Sequence, residues 1–179
     1  MEIKQYSFYE TKLCNSSSAL INVVKIALQG IELANDHSLT ISQRIRNALL
    51  PKLVSQGLTG RFPIDPSVTH DDYASFFIDF YLNESQIKCD HMHRYLLQFM
   101  FDNRQAIGTN LLKFQIANDN AIQNGRVATS IAICVEKESL RKLGWDGAAA
   151  GAQEYVHALS GPYKSMFKFP MTILSIANL

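Results

Sequence analysis

The sequence has few cysteines and no pattern that would pair them. Cys14, Cys89 and Cys134 are the only three among 179 residues, and they are widely spaced. A disulfide framework needs an even number of cysteines in an oxidising compartment. The composition therefore predicts reduced thiols in a cytoplasmic protein. Cys134 lies in an apolar run and is expected to be a small buried side chain.

Long apolar runs are also missing. No stretch reaches the roughly 18 apolar residues that a membrane-spanning helix needs. The first residues, Met1 to Gln5, show no basic start followed by an apolar core, so no signal peptide is expected. We therefore predict no membrane partner.

A marked excess of either charge is absent, because 17 basic residues face 16 acidic ones and the formal net charge is +1. A protein that holds nucleic acid by charge alone carries a large basic excess. The balance argues against such a protein and leaves a local basic cleft open. Hydrophobic residues make up 47% of the chain, which is ample for a packed core and excludes general disorder.

Apolar periodicity predicts an α/β chain with one domain over residues 1–179. Residues 1–40 form an arm or short strand followed by a helix, which starts after cap candidates at 15–18 and ends near Asp36. A second helix is expected to begin at Ser42 and stop at Gln56-Gly57. Residues 57–72 are rich in glycine and proline and are typical of a loop.

The second half alternates between helices and strands. We expect a helix over residues 103–118, turns at 118–120 and at Asn124-Gly125, and a central parallel strand over 127–135. A further helix over 148–159 and a buried strand over 170–176 complete a strand, helix, strand unit. The glycine-rich residues 144–151 lack the Lys-Ser/Thr pair of a phosphate loop and are interpreted as a loop and helix start.

A predicted hairpin in the middle of the chain carries the candidate chemistry. Its first strand contains Phe77-Ile78-Asp79-Phe80, with one acidic residue in an apolar run, and its second strand covers residues 95–101. Gln98 and Met100 are two residues apart, so they share a face of that strand. Asp79 on one strand and Gln98 and Met100 on the other are the candidate site positions.

Two alternatives stay open for this region. In the first, Asp79 acts with Gln86 and Lys88, with Glu84 as a further carboxylate, and residues 95–100 become a helix stripe. In the second, alternating Cys and His side chains bind zinc, although a fourth ligand with suitable spacing is not evident. The residues of this second set are Cys89, His91, His93 and His70.

A loose basic group precedes the hairpin. A solvated helix face explains it without further function, and contact with nucleic acid phosphates is the functional alternative. Its members are Arg44, Arg46, Lys52 and Arg61.

The order of these segments resembles a known family. Residues 42–177 are similar to the type II restriction endonucleases of the BamHI, BglII and BstYI group, which have the PD-(D/E)XK nuclease fold. Four stretches carry the resemblance: Ala48-Leu49-Leu50-Pro51-Lys52-Leu53 with Gly57-Leu58, Phe77-Ile78-Asp79-Phe80, Gln98-Phe99-Met100-Phe101-Asp102-Asn103, and Gly125 to Val135 followed by Pro170-Met171-Thr172-Ile173-Leu174.

The resemblance implies a mixed central sheet flanked by helices and Mg²⁺-dependent hydrolysis of double-stranded DNA by a homodimer. Asp79 matches the family's metal-binding Asp. Gln98 stands where the family has Glu, and Met100 stands where it has Glu, Gln or Lys. A neutral amide is a weak Mg²⁺ ligand, and a thioether is too soft to be one. The pattern thus predicts a nuclease scaffold with an impaired site; the alternative is a non-catalytic interaction protein that retains the scaffold.

Overall fold

The structure is a computed structural model, and it describes residues 2–9, 15–29, 31, 33, 38–55, 58–63, 77–82, 93–100, 103–145 and 149–178. Within these residues, no helix is both long and apolar enough to cross a membrane.

A six-stranded mixed sheet forms the centre of the molecule. Its three inner strands are mutually parallel, and the strands outside them pair antiparallel to their neighbours. The predicted α/β class with a mixed sheet is therefore confirmed. In spatial order the strands are β1 (Glu2–Phe8), β6 (Met171–Ala177), β5 (Val127–Val135), β4 (His93–Phe99), β3 (Phe77–Leu82) and β2 (Thr59–Pro63).

The central strand β5 follows directly from its sequence. Its residues are β-branched or small, and those from Ala128 to Val135 are buried. A strand covered on both faces reads as a continuous apolar run, and such strands are usually parallel. The prediction of a central parallel strand over residues 127–135 is confirmed, and so is the final buried strand, displaced by one residue.

Two apolar layers cover the faces of the sheet. The first core layer contains Leu97 and Phe99 with the inner sides of α1 (Asn15–Gln29) and α2 (Ile41–Ser55). The second core layer contains Leu96 and Met100 with α3 (Ile107–Gln123) and α5 (Ala152–Ser160). A turn of 3-10 helix (Arg104–Ala106) leads into α3, and a short helix, α4 (Lys137–Lys142), follows β5.

The bounds of the first two helices differ from the prediction. α1 begins at Asn15 and ends at Gln29, next to Gly30, because glycine commonly ends a helix. The cap of α2 is Thr40 rather than Ser42. The Thr40 hydroxyl accepts from the Gln43 N–H at 3.3 Å, and the Gln43 side chain accepts from the Thr40 N–H at 2.8 Å.

Two further predictions were wrong. Part of the loop expected over residues 57–72 is strand β2, an edge strand that tolerates its terminal Pro63 because one side of it needs no partner. The turn expected at 118–120 lies inside α3. Asn118 is buried there because its amide donates to the Phe114 carbonyl and to the Ser130 hydroxyl, both at 2.8 Å.

Cys134 is fully buried in β5, as predicted. Burial raises the pKa of its thiol, and the Glu136 carboxylate raises it further. We expect Cys134 in a Cys14→Ser, Cys89→Ser variant to resist an aromatic disulfide reagent at mildly alkaline pH until denaturant is added, because the thiolate is the reacting species. Labelling is measured by absorbance. Rapid labelling of the native variant would contradict the burial of Cys134 in β5.

Candidate functional site

The hairpin of β3 and β4 brings the predicted site positions together. Phe80 pairs with Leu97, and Tyr81 pairs with Leu96. Continued by one residue, this antiparallel register places Asp79 opposite Gln98. Residues directly opposite in an antiparallel pair are the closest cross-strand neighbours. The interpretation of residues 95–100 as a helix stripe was therefore wrong, since the segment is a strand.

Gln98 is a buried polar side chain in β4. It is 4% exposed, and strand alternation puts it on the face of Leu96, which α3 covers. Its Oε1 has no hydrogen-bond partner in the part of the chain that the structure describes. An unsatisfied buried acceptor costs about 1–3 kcal/mol. Because this orphaned oxygen lies opposite Asp79, a bound cation or donor would satisfy it.

Met100 plays no comparable part. It follows β4 directly, and its N–H donates to the Ile133 carbonyl at 2.8 Å, which extends the pairing with β5. Its side chain is fully buried in the second core layer. A thioether in an apolar cluster is a packing group and cannot activate water.

Several predicted site residues lie outside the described residues. The alternative register of Glu84, Gln86 and Lys88 belongs to residues 83–92, as do Cys89 and His91 of the zinc hypothesis. The side chains of Asp79 and Arg61 are likewise not described. Among the residues that are, no group of three His, Cys, Asp or Glu side chains is placed to hold a metal ion.

Asp79 and Gln98 are residue types whose side-chain oxygens Mg²⁺ accepts as ligands. Mg²⁺ is commonly bound through one or two carboxylates, with water completing its octahedron. One carboxylate and one amide oxygen meet the lower end of that requirement. The orphaned Gln98 Oε1 is the observation that supports this fit, and the buried Met100 side chain adds no ligand.

The predicted basic group is spread over two elements. Arg44, Arg46 and Lys52 are half-buried on α2, and Arg61 lies in β2. The Arg46 guanidinium lies 5.1 Å from the centre of the Phe99 ring, at the end of β4. Because α2 packs on the face opposite Gln98, the three cations of α2 are on the other side of the sheet from the orphaned amide. Arg61 differs from them, since the register of β2 with β3 places it opposite Asp79.

A charged trio that the sequence analysis missed lies at the carboxyl end of the parallel strands. Glu154 of α5 accepts from Lys137 Nζ at 3.0 Å, and Arg104 Nη2 is 3.4 Å from the same oxygen. The other Glu154 oxygen accepts from the Gly151 N–H at 3.0 Å. The spacing Gly151-x-x-Glu154 resembles a capping box and was the one signal in the sequence that could have found it.

The trio predicts that the stability of the fold depends on pH in the acidic range. Burial raises the pKa of Glu154, but the hydrogen bonds from Lys137 and from backbone N–H groups outweigh it, and the pKa lies below the ordinary 4.5. A carboxyl with a lowered folded pKa stabilises the fold above its unfolded pKa, and this stabilisation is lost as pH falls through the folded value.

Replacing Glu154 by glutamine should therefore lower the free energy of unfolding at neutral pH by about 1 kcal/mol, since the ion pairs are partly exposed. The difference from wild type should shrink as the pH falls below 4.5. Urea unfolding at several pH values measures it. A difference that grows with acid would contradict the ionised trio, and Glu138→Gln, on the same edge, is the matched control.

Glu136 is another acidic group at this end of the sheet, and it is buried with structural partners. The Ser175 hydroxyl donates to Glu136 Oε1 at 2.7 Å, and Lys4 Nζ lies 3.8 Å from the other oxygen. Burial, followed by the Glu136 charge, raises the pKa of Tyr6. These contacts tie β1 to the end of β5. Among the described residues, Gln98 Oε1 remains the buried side-chain atom without a hydrogen-bond partner.

Comparison with known proteins supports the fold. No protein-family model matches the chain, and no curated protein matches it in sequence. The structure is similar to the crystal structure of restriction endonuclease BglII complexed with a DNA 16-mer, with a TM-score of 0.65 and 14% identity. The match covers 100% of this chain and 78% of that chain. The chain therefore has a restriction-endonuclease-like fold, with a mixed central sheet flanked by helices.

Proposed function

We propose that this protein binds double-stranded DNA and holds Mg²⁺ weakly at Asp79 and Gln98, so that any phosphodiester hydrolysis is slow. The observation that carries the proposal is the buried Gln98 Oε1, which has no hydrogen-bond partner among the described residues and whose residue is in register with Asp79. The similarity to an endonuclease that was crystallised with DNA supports the choice of partner.

The proposed chemistry assigns limited roles to the residues present. Bound Mg²⁺ would polarise a phosphate and lower the pKa of an attacking water. Asp79 supplies the one full negative charge for the cation, and Gln98 supplies a neutral oxygen. Met100 supplies neither a ligand nor a base. A site that lacks the second carboxylate and the group that orients water is expected to be an impaired nuclease.

The test is a pair of assays on wild type and an Asp79→Ala variant. We expect a mobility shift with duplex DNA for both proteins and, with Mg²⁺ or Mn²⁺, slow cleavage by wild type that falls at least about 100-fold in the variant. Cleavage that persists in Asp79→Ala would place the metal elsewhere. Absence of a mobility shift for wild type would reject DNA as the partner.

A second candidate function is a non-catalytic interaction protein that keeps the scaffold. The complete burial of Met100 and the 4% exposure of Gln98 favour it, because a packed hairpin needs no ligand. The assays separate the two functions, since an interaction protein would neither shift nor cleave duplex DNA.

We also propose that the DNA-binding form is a homodimer, as the family resemblance implies. A closed two-fold dimer presents the same surface twice and suits a duplex with two-fold sequence symmetry. Light scattering coupled to size exclusion, at micromolar concentration with and without a palindromic duplex, tests it. A monomer bound to one duplex would contradict the proposal.

A further inference from the structure

Gln98 lies near the carboxyl ends of the parallel strands. Gln98 is the second-last residue of β4, and α3 covers its face. β5 and β6 run parallel to β4, so the carboxyl ends of all three strands meet at this edge. In open α/β sheets, ligands bind in the crevice beyond the carboxyl ends of the strands.

Two cations are fixed at this same edge. Arg104 begins the turn that follows β4, and Lys137 is the first residue of α4 after β5. Both bond the same oxygen of Glu154, so they lie near each other although 33 positions separate them in the chain. Their side chains keep 45% and 32% exposure, and the trio retains one net positive charge.

The surroundings of the trio leave room for a phosphate on either side. A cavity of about 410 Å³ lies against Lys137, and another of about 360 Å³ lies against Arg104. The first cavity is lined by equal numbers of acidic and basic side chains, so it is not a broad basic surface. The two clamped cations are positioned to meet a phosphate without losing much further side-chain freedom.

We propose that Arg104 and Lys137, held by Glu154, contact backbone phosphates of duplex DNA beside the Asp79 and Gln98 position. This inference rests on the proposed function. Phosphates follow one another every 3.4 Å along the axis of each strand. Because the trio and Gln98 both lie at the carboxyl ends of the parallel strands, a duplex laid across these ends places several phosphates within reach of the trio. The basic group on α2, on the opposite face of the sheet, is then not the principal phosphate contact.

The dependence of DNA affinity on salt tests this assignment. Each neutralised phosphate contributes about 0.9 to the slope of log K against log salt. We expect Arg104→Gln and Lys137→Gln each to lower the slope by about that amount, whereas Arg104→Lys keeps it because the charge remains. Fluorescence anisotropy measures the binding constant of the protein for a labelled duplex of arbitrary sequence at several salt concentrations.

Matched controls lie at the amino-terminal ends of the parallel strands. Arg126 and Lys168 are exposed and precede β5 and β6, so Arg126→Gln and Lys168→Gln should leave the slope unchanged. Thermal unfolding of each variant excludes loss of the fold. If wild type binds no DNA, the proposed function and this inference both fail. If wild type binds and the slopes of Arg104→Gln and Lys137→Gln equal those of the controls, this inference alone is overturned.

Discussion

Replacing Gln98 by glutamate is expected to make the stability of the protein depend on magnesium. The new carboxylate is buried opposite Asp79, and an uncompensated buried charge costs on the order of 3–5 kcal/mol. A cation that binds only the folded state restores stability, by about 2.7 kcal/mol when it is present at 100 times its dissociation constant. Thermal unfolding with EDTA or with Mg²⁺ measures both effects.

A second variant, Gln98→Leu, separates a ligand site from a packing position by the sign of its change in the free energy of unfolding. Gln98→Leu removes an amide of similar size whose oxygen is unsatisfied among the described residues, and it should raise the free energy of unfolding by about 1–3 kcal/mol in EDTA. Magnesium should then have no effect. Met100→Leu, a conservative change in the same core layer, is the control. It should change neither the free energy of unfolding in EDTA nor the response to magnesium. A magnesium-insensitive Gln98→Glu protein would refute the proposed metal position.

The hairpin and the central strands could be predicted because their patterns are local. The apolar, β-branched run from Val127 to Val135 admits a buried strand, and the alternation of residues 95–99 sends Leu97 and Leu96 to different core layers. Once Asp79 was assigned to one strand and Gln98 to the next, their proximity followed from the pairing.

The parts that were missed depend on tertiary contacts. The segment Thr59–Pro63 contains Gly60 and Pro63 and looks like a loop, yet it pairs with β3 because an edge strand tolerates both residues. Apart from the capping-box spacing of Gly151 and Glu154, the sequence does not indicate the trio, because the fold brings Arg104 and Lys137 together from the ends of β4 and β5. Polar sites built across strands are therefore harder to predict than the strands themselves.

Replacing Phe114 by alanine is expected to be among the most destabilising single changes in α3, the helix that covers the sheet face of Gln98. Phe114 is fully buried on α3, and its ring lies 6.0 Å from that of Phe169, centre to centre. Deleting a buried aromatic ring costs about 3–5 kcal/mol, because the neighbours fill the cavity only in part. For a chain of this length, that lowers the unfolding midpoint on the order of 10 °C.

Leu112 provides the matched control for Phe114, since it lies on the same helix but is 48% exposed. Leu112→Ala should change the free energy of unfolding by no more than about 0.5 kcal/mol. The Phe114 variant also bears on function, because α3 closes the face on which the Gln98 amide lies. Because α3 keeps water from that position, loosening its packing should hydrate the new carboxylate and weaken the magnesium response of a Gln98→Glu, Phe114→Ala double variant relative to Gln98→Glu alone. An unchanged response would show that the metal position depends on the hairpin and not on the helix above it.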